Sequence, residues 1–195
     1  MSFPVLVNAP EAHQLLQQQP DASILDVRWS LSNPQQREEY AHSHIPGAVY
    51  VDMNTQLSRK DAAPSEGRHP LPLLQDFEVA ARSWGIKSLH TPVLVYDDVS
   101  SQAAARAWWL LTRSGFTRVH VLDGGFTAWL KAGLPAQKGE VIPSVSTVSL
   151  VPTPDTLPAA KRNELERAAA NQYLIDVRSE SRFLGTEEPV DPVAG

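Results

Sequence analysis

The sequence contains no cysteine, and this absence excludes more chemistry than any other feature of its composition. A chain without thiols forms no disulfide, binds no metal through thiolates and carries no cysteine nucleophile. The sequence also lacks an apolar run long enough to cross a bilayer. Residues 1–10 lack the basic and apolar regions of an export signal. We therefore expect a cytoplasmic protein that does not bind membranes.

An excess of basic charge is absent as well. The 17 Lys and Arg residues are outnumbered by 22 Asp and Glu residues, which gives a net charge of -5. Nucleic acids and anionic membranes attract basic surfaces, so neither is an expected partner. Hydrophobic residues make up 42% of the 195 residues, which is enough for a folded core of one to one and a half domains. Asp123-Gly124-Gly125 lacks the Lys and Ser/Thr of a phosphate-binding loop, and we expect no cofactor and no metal.

Short apolar runs alternate with amphipathic stretches in residues 1–135. The predicted strands are residues 4–7, 24–28, 48–51, 93–96 and 119–122. One predicted helix begins after Asn8, and Glu11 at its third position fits a helix cap. Three further predicted helices end near Gly85, Gly115 and Gly133. This alternation predicts an α/β domain with a parallel sheet of about five strands and helices on both faces.

The remaining residues differ in composition and contain a repeat. Residues 136–158 are rich in proline, and we interpret them as a linker. Residues 159–195 begin with a predicted helix, after which Ile175-Asp176-Val177-Arg178 repeats Leu25-Asp26-Val27-Arg28 at a distance of 150 positions. We interpret residues 159–195 as the incomplete start of a second copy. Because one strand and one helix bury no core alone, we expect this tail to dock on the first domain or to be partly disordered.

The loop after the strand at 93–96 is the candidate site. Ligands of parallel sheets bind beyond the carboxyl ends of the strands, and backbone N–H groups before a helix can hold an anion. The loop consists of Asp97, Asp98, Val99, Ser100, Ser101 and Gln102. A nucleophile at its first position would be activated by these N–H groups, but the residue there is Asp97.

Three interpretations of Asp97 follow from its position. It caps the helix, which is the most common role of an aspartate before a helix. Alternatively, it is a nucleophile in phosphoryl transfer, although that chemistry usually needs a second acid two positions on, where this chain has Val99. In the third interpretation the Asp97 carboxylate itself occupies the anion site and thereby blocks it.

Other polar residues have structural explanations. His42 and His44 have a spacing that suits a metal, but no acid or cysteine partner lies near them in sequence, so we favour a backbone hydrogen bond for His44. Asp26 and Arg28 are predicted to form an internal ion pair. Arg106 is expected either to pair with one of the two loop aspartates or to face solvent.

Six motifs in sequence order resemble the first domain of tandem rhodanese-type sulfurtransferases, and a further set resembles the start of their second domain. The first set is formed by residues 25–28, 40–48, 67–72, 95–98, 105–111 and 121–129. The second set is formed by residues 176–178, 182–183, 185–187 and 191–195.

This resemblance implies a reaction. Such tandem enzymes transfer sulfane sulfur from thiosulfate or 3-mercaptopyruvate to a thiophilic acceptor such as cyanide, through a cysteine persulfide in the second domain. Their first domain is non-catalytic and carries an aspartate at the position of the cysteine, which matches Asp97. Arg182 matches the second-domain arginine that contacts the substrate anion. The further arginine of mercaptopyruvate enzymes is replaced by Asp191, which favours thiosulfate as donor.

Two functions remain open on this basis. In the first, the chain is part of a tandem sulfurtransferase that is inactive by itself because it lacks the cysteine, and its partners are small sulfur-containing anions and a missing catalytic domain. In the second, the chain is a non-catalytic module that binds an anion or another protein.

Overall fold

The structure is a computed structural model that describes residues 4–30, 36–63, 66–67, 69–98, 101–152, 157, 159–160, 164–165 and 174–187. The chain divides into two compact units, Met1–Leu157 and Pro158–Gly195. Within the described residues, no helix has the length and apolar character that crossing a membrane requires.

The first unit is built on a parallel sheet, as predicted. Its strands are β1 (Leu6–Val7), β2 (Ser23–Asp26), β3 (Val49–Tyr50), β4 (Val93–Tyr96) and β5 (Val119–Leu122), in the spatial order β1-β5-β4-β2-β3. All four residues of β4 are buried because the sheet is covered on both faces. Val93 and Val95 belong to one apolar core, and Leu94 and Tyr96 belong to the other.

Five helices accompany these strands in the described part of the first unit. They are α1 (Ala9–Gln18), α2 (Gln36–His42), α3 (Leu74–Ser83), α4 (Gln102–Arg113) and α5 (Gly125–Lys131). Residues of α3 and α4 lie in one core and residues of α1 and α5 lie in the other, which confirms the prediction of helices on both faces.

The cap of α1 was predicted from the sequence, whereas helix α2 was not. The Asn8 side chain accepts from the Glu11 N–H, and the Glu11 carboxylate accepts from the Asn8 N–H, so the predicted cap is a complete capping box. Helix α2 was not predicted, because Tyr40 is its one buried residue and its other positions give no apolar period.

Part of the predicted linker lies against the first unit. Val148 and Leu150 are buried in the same core as α3 and α4. The Arg82 Nε donates to the Val148 carbonyl at 2.8 Å, and the Leu150 N–H donates to the Glu78 Oε2 at 2.8 Å. The first unit therefore extends to Leu157, beyond the boundary at residue 135 that the composition indicated. Extended chain with scattered prolines has no apolar period, so the sequence pattern did not reveal these two buried residues.

The second unit is described at residues 159–160, 164–165 and 174–187. It contains a one-turn helix, α6 (Glu180–Phe183). The helix predicted within residues 159–170 falls mostly outside the described residues, and the assignment of residues 159–195 to an incomplete second copy stays a prediction.

Replacing Leu150 with alanine tests whether the proline-rich segment is part of the fold. We expect Leu150→Ala to lower the free energy of unfolding by about 2–4 kcal/mol, because it leaves a cavity in the core. The control is Val145→Ala in the same segment, whose side chain is exposed, with an expected change of about 0.5 kcal/mol or less. Urea unfolding measures both, and equal values for the two variants would contradict the packing seen here.

Candidate functional site

Acidic residues end or follow three neighbouring strands at one edge of the sheet. Asp26 is the last residue of β2, Asp97 follows β4 directly, and Asp123 follows β5. Because the strands are parallel, these carboxyl ends lie on the same edge, where ligands of such sheets bind. The predicted site loop is therefore at the expected end of the sheet.

The Asp97 carboxylate occupies the N-terminus of α4. Its side chain is buried, its Oδ1 accepts from the Ser101 N–H at 3.1 Å, and its Oδ2 accepts from the Ala104 N–H at 2.9 Å. Ser101 stands at the N-cap position but makes no side-chain capping bond. Asp97 therefore supplies the acceptor that a cap residue usually provides, and its negative charge is favourable at this helix end.

These contacts are consistent with two of the three interpretations of Asp97, namely that it caps the helix and that it occupies the anion site. The carboxylate caps α4, and in doing so it takes two of the N–H groups that an external anion would need. A nucleophile in phosphoryl transfer would instead present its oxygen atoms to a substrate. Gln102 begins α4 and is exposed, whereas Val99 and Ser100 lie outside the described residues.

The site loop is held against the start of α5 by Asp98 and by the close approach of the loop to Gly125, the first residue of that helix. The Asp98 Oδ1 accepts from the Thr127 N–H at 2.8 Å, and the Asp97 carbonyl accepts from the Phe126 N–H at 3.0 Å. Gly125 has a φ of 57°, and a Cβ atom there would lie 1.7 Å from the Asp97 carbonyl oxygen. The close approach of the site loop to the start of α5 thus requires glycine at position 125.

A buried ion pair lies beneath the loop, as predicted for Asp26 and Arg28. Arg28 donates from Nη2 to the Asp26 Oδ2 at 2.7 Å and from Nε to both carboxylate oxygen atoms at 3.0 Å. The same Nη2 donates to the Ser43 carbonyl at 2.7 Å. The guanidinium carbon lies 4.7 Å from the centre of the Phe126 ring. The pair therefore joins β2 to the turn before β3 and to α5.

Tyr96 completes this network, and the sequence analysis did not identify it. Its hydroxyl group donates to the Asp26 Oδ2 at 2.7 Å and accepts from the Ile45 N–H at 3.2 Å. No feature of the sequence indicates this contact, because the register that pairs the last residue of β2 with the last residue of β4 is set by the assembled sheet. We refer to Asp26, Arg28 and Tyr96 as the buried triad.

Burial and charge determine the protonation of two members of the triad. Burial, followed by the negative charge of Asp26, raises the pKa of Tyr96 well above its ordinary value, so its hydroxyl group stays a donor. Burial by itself lowers the pKa of Arg28. Its hydrogen bond to Asp26 and the negative charge of that carboxylate outweigh this effect, and the pKa is raised. Arg28 therefore stays positively charged in the folded protein.

The two histidines before β3 have different surroundings. His44 is fully buried, its Nδ1 donates to the Tyr40 carbonyl at 2.8 Å, and its ring stacks on the Tyr40 ring at 4.2 Å. This hydrogen bond confirms the structural role predicted for His44, whereas His42 is exposed. Among the described residues, no group of three or more His, Asp or Glu side chains could hold a metal ion.

The prediction for Arg106 is wrong. Its Nε donates to the Leu57 carbonyl at 3.0 Å and its Nη2 donates to the His69 carbonyl at 2.7 Å, so it pairs with neither loop aspartate. It is also partly buried, and this burial lowers the pKa of Arg106. Arg106 lies more than one turn into α4 and contacts the long loop between β3 and α3, which sequence spacing alone did not reveal.

Arg182 lies in α6 of the second unit and is half-buried. Near it, Arg178 donates from Nη2 to the Asp176 Oδ2 at 2.7 Å. The hydrogen bonds from Arg178, assisted by the charges of both arginines, lower the pKa of Asp176. Binding of a substrate anion by Arg182 stays a prediction.

Residues 8–132 match the family described as Rhodanese-like domain. The chain belongs to the rhodanese family. Its first unit is therefore a rhodanese-like domain, and the site loop lies after the fourth strand of that domain.

Relatives of this rhodanese-like protein are named as sulfurtransferases. The chain is 41% identical over 194 residues to "Putative thiosulfate sulfurtransferase SseB" of Mycobacterium tuberculosis, covering 98% of the chain and 67% of that protein. It is 36% identical over 182 residues to "Probable 3-mercaptopyruvate sulfurtransferase" of Pseudomonas aeruginosa, covering 91% of the chain and 63% of that protein.

A solved structure supports the same family. The crystal structure of the 3-mercaptopyruvate sulfotransferase SseA from Escherichia coli matches with a TM-score of 0.80 and 26% identity, covering 97% of the chain and 71% of the SseA chain. The rhodanese-like chain thus spans about two thirds of the length of these relatives.

Removal of the Asp97 carboxylate tests its capping role. We expect Asp97→Ala to lower the free energy of unfolding by about 2 kcal/mol, because one buried and one partly buried N–H group lose their acceptor. Asp97→Asn keeps one acceptor oxygen atom and loses less. The control is Asp123→Ala at the same sheet edge, whose side chain is exposed, with a change of about 0.5 kcal/mol or less. Denaturant titration compares them, and a neutral Asp97→Ala variant would contradict the role of the cap.

Removal of the Tyr96 hydroxyl group tests the buried triad. We expect Tyr96→Phe to lower the free energy of unfolding by about 1–3 kcal/mol, because the Asp26 carboxylate loses a donor and the Ile45 N–H loses its acceptor. Tyr50→Phe removes a hydroxyl group outside the triad and serves as the control. Thermal and urea unfolding provide the comparison, and losses of the same size in both variants would argue against the network.

Proposed function

We propose that this chain is the non-catalytic part of a tandem rhodanese-type sulfurtransferase. The full protein moves sulfane sulfur from thiosulfate or 3-mercaptopyruvate to a thiophilic acceptor such as cyanide. The sequence of this chain is 41% and 36% identical to relatives named as thiosulfate and 3-mercaptopyruvate sulfurtransferases, and these identities support this reaction class. The cysteine comes from the part of the tandem protein that this chain does not contain, since the chain has none.

The position of Asp97 carries the proposal. A side chain directly after β4 meets the N–H groups of Ser101 and Ala104 at the start of α4. These N–H groups would stabilise a thiolate at the same position, because the helix N-terminus lowers the pKa of a cysteine. A carboxylate also accepts hydrogen bonds from the N–H groups, but it has no sulfur atom to which the transferred sulfur could bind as a persulfide. These two hydrogen bonds support our interpretation of the loop as the counterpart of a sulfur-transfer loop that lacks the reacting atom.

The full protein would transfer sulfur in two steps, and both steps involve the sulfur atom of the cysteine. A thiolate attacks the sulfane sulfur of thiosulfate, a new S–S bond forms, the S–S bond of thiosulfate breaks, and sulfite leaves with the bonding electron pair. Cyanide then attacks the outer sulfur atom of the persulfide, thiocyanate forms, and the thiolate is released. The first step requires a polarisable nucleophile and the second step requires a good leaving group, and a thiolate serves as both.

The remaining assignments belong to the same proposal. Arg182 contacts the substrate anion, the loop of residues 97–102 is the inactive counterpart of the catalytic loop, and the partners are small sulfur-containing anions and the catalytic domain. Asp191 lies outside the described residues, and its identity favours thiosulfate as the donor, as does the name of the Mycobacterium tuberculosis relative. The second candidate is a non-catalytic module that binds an anion or another protein. Its anion-binding form receives less support, because the Asp97 carboxylate occupies the N–H groups of the loop.

A single introduced thiol tests the position of Asp97, because the natural chain has no cysteine to interfere. We expect the unmodified chain to show no thiosulfate:cyanide turnover and no saturable change of tryptophan fluorescence with thiosulfate. In Asp97→Cys, we expect the thiol pKa to fall below the ordinary value of about 8.5. Ultraviolet absorbance of the thiolate, recorded against pH, measures it without requiring a reagent to reach the buried side chain.

Asp123→Cys is the matched control, because it places the thiol on the same sheet edge at an exposed position. Its pKa is expected to stay near the ordinary value. Equal pKa values in the two variants would contradict the assignment of the loop as an inactive sulfur-transfer site. Turnover by the unmodified, cysteine-free chain would contradict the proposed mechanism.

A further inference from the structure

A cavity of about 350 Å³ lies in the first unit, between α1, the turn before β3 and α5. We call it the α1–α5 cavity. Small-molecule sites in proteins begin at about this volume. The cavity lies towards the amino end of β2 and includes no residue of the site loop. Its main apolar lining residues are Leu16, Pro20, Ile24, Ile45, Trp129 and Pro135.

The walls of this cavity are held in place by the fold. Trp129 is buried, and its indole Nε1 donates to the Pro135 carbonyl at 2.8 Å. The Gly47 N–H, in the turn that also lines the cavity, donates to the Gln137 Oε1 at 2.8 Å. Three of the lining residues are prolines, whose φ angles are fixed. A cavity with fixed walls loses little conformational freedom when a ligand enters, which favours binding.

His13 supplies a hydrogen-bond donor to the cavity. The Gln17 Nε2 and the His13 Nε2 lie 3.0 Å apart, and both residues line the cavity. An amide nitrogen only donates, so the His13 Nε2 is the acceptor and the proton of the neutral ring is on Nδ1. Among the described residues, none accepts a hydrogen bond from this Nδ1. The Nδ1–H group is therefore available to a ligand.

Leu16 supplies a hydrogen-bond acceptor. In a continuous helix its carbonyl would accept from the N–H group four residues on, but that residue is Pro20, which has no N–H. Helix α1 ends at Gln18, and its last carbonyl groups carry a partial negative charge. Leu16 and Pro20 both line the cavity. A ligand that accepts one hydrogen bond and donates another thus matches His13 and Leu16.

The charge and the rings of the lining restrict the ligand further. No described Asp, Glu, Lys or Arg lines the cavity, although these residues make up 20% of the chain. An ion in the cavity would lose hydration without gaining a charged partner. The Trp129 ring meets the His13 ring edge-on, with 5.8 Å between their centres and an angle of 71°. Aromatic rings prefer such packing, so these two residues favour an aromatic ligand.

We infer that the α1–α5 cavity binds a small, uncharged aromatic molecule that carries both a hydrogen-bond donor and an acceptor, as an aromatic amide does. The apolar lining takes the ring. The His13 Nδ1–H donates to the acceptor of the ligand, and the Leu16 carbonyl accepts from its donor. This site uses neither Asp97 nor a thiol, and its ligand is not an anion. The inference is therefore independent of the proposed sulfur transfer.

Benzamide is the probe, and proton–nitrogen correlation NMR of the full chain is the measurement. Of the five tryptophans, all of which the structure describes, only Trp129 lines the cavity. We expect its indole N–H signal to shift saturably, with a dissociation constant in the millimolar range that is ordinary for so small a ligand. The other four indole signals should stay in place. No saturable shift, or equal shifts of all the indole signals, would overturn the inference.

Two ions of the same shape test whether the ligand is uncharged. Benzoate carries a negative charge and benzamidinium a positive charge in place of the neutral amide. We expect each ion to bind at least about tenfold more weakly than benzamide, because the lining offers neither charge a partner. Equal or tighter binding of either ion would contradict the assignment of an uncharged ligand.

His13→Phe keeps a ring beside Trp129 and removes the N–H donor. We expect the dissociation constant of benzamide to rise about fivefold, the effect of one lost hydrogen bond. His42→Phe is the matched control, because His42 is an exposed histidine outside the cavity, and its affinity should be unchanged. Equal affinities of His13→Phe and the unmodified chain would overturn the role of His13. A Trp129 signal that shifts with protein concentration alone would show that a second copy fills the cavity, and would overturn the small-molecule site.

Discussion

The buried triad of Asp26, Arg28 and Tyr96 holds the carboxyl edge of the sheet together. A buried charge is tolerated only when it is paired and its remaining hydrogen-bonding capacity is satisfied. Here the Arg28 guanidinium and the Tyr96 hydroxyl group satisfy Asp26, and the Ser43 carbonyl accepts a further hydrogen bond from Arg28. The requirement fixes the ends of β2 and β4 relative to each other and determines where the loop after β4 begins.

This fixed edge explains the character of Asp97. The loop leaves β4 at a defined point and enters α4 within a few residues, so its first side chain meets the helix N–H groups. In this chain that side chain is an anion, and the site is occupied by the protein itself. The same scaffold with a thiol would favour a thiolate. Because this chain carries a carboxylate at this position and contains no cysteine, the proposed function places the catalysis outside this chain.

The sequence predicted local features well and long-range contacts poorly. The capping box of Asn8 and Glu11 and the strands β4 and β5 appeared as expected, because each depends on residues close together in the chain. The partner of Arg106 was missed, because its carbonyl acceptors lie 37 and 49 residues away. Leu150 was assigned to a linker, because an extended segment that contributes single side chains to a core has no periodic pattern.

The sequence by itself determined the α/β class, the family resemblance, the ion pair of Asp26 and Arg28 and the exclusion of a persulfide on this chain. All of these depend on residue type and order alone. The tertiary structure decided that the Asp97 carboxylate occupies the helix N–H groups, that Tyr96 completes the triad and that the proline-rich segment joins the first unit. Such facts depend on which atoms meet after the sheet has formed, and strand register and loop closure are set by the packing of the whole domain.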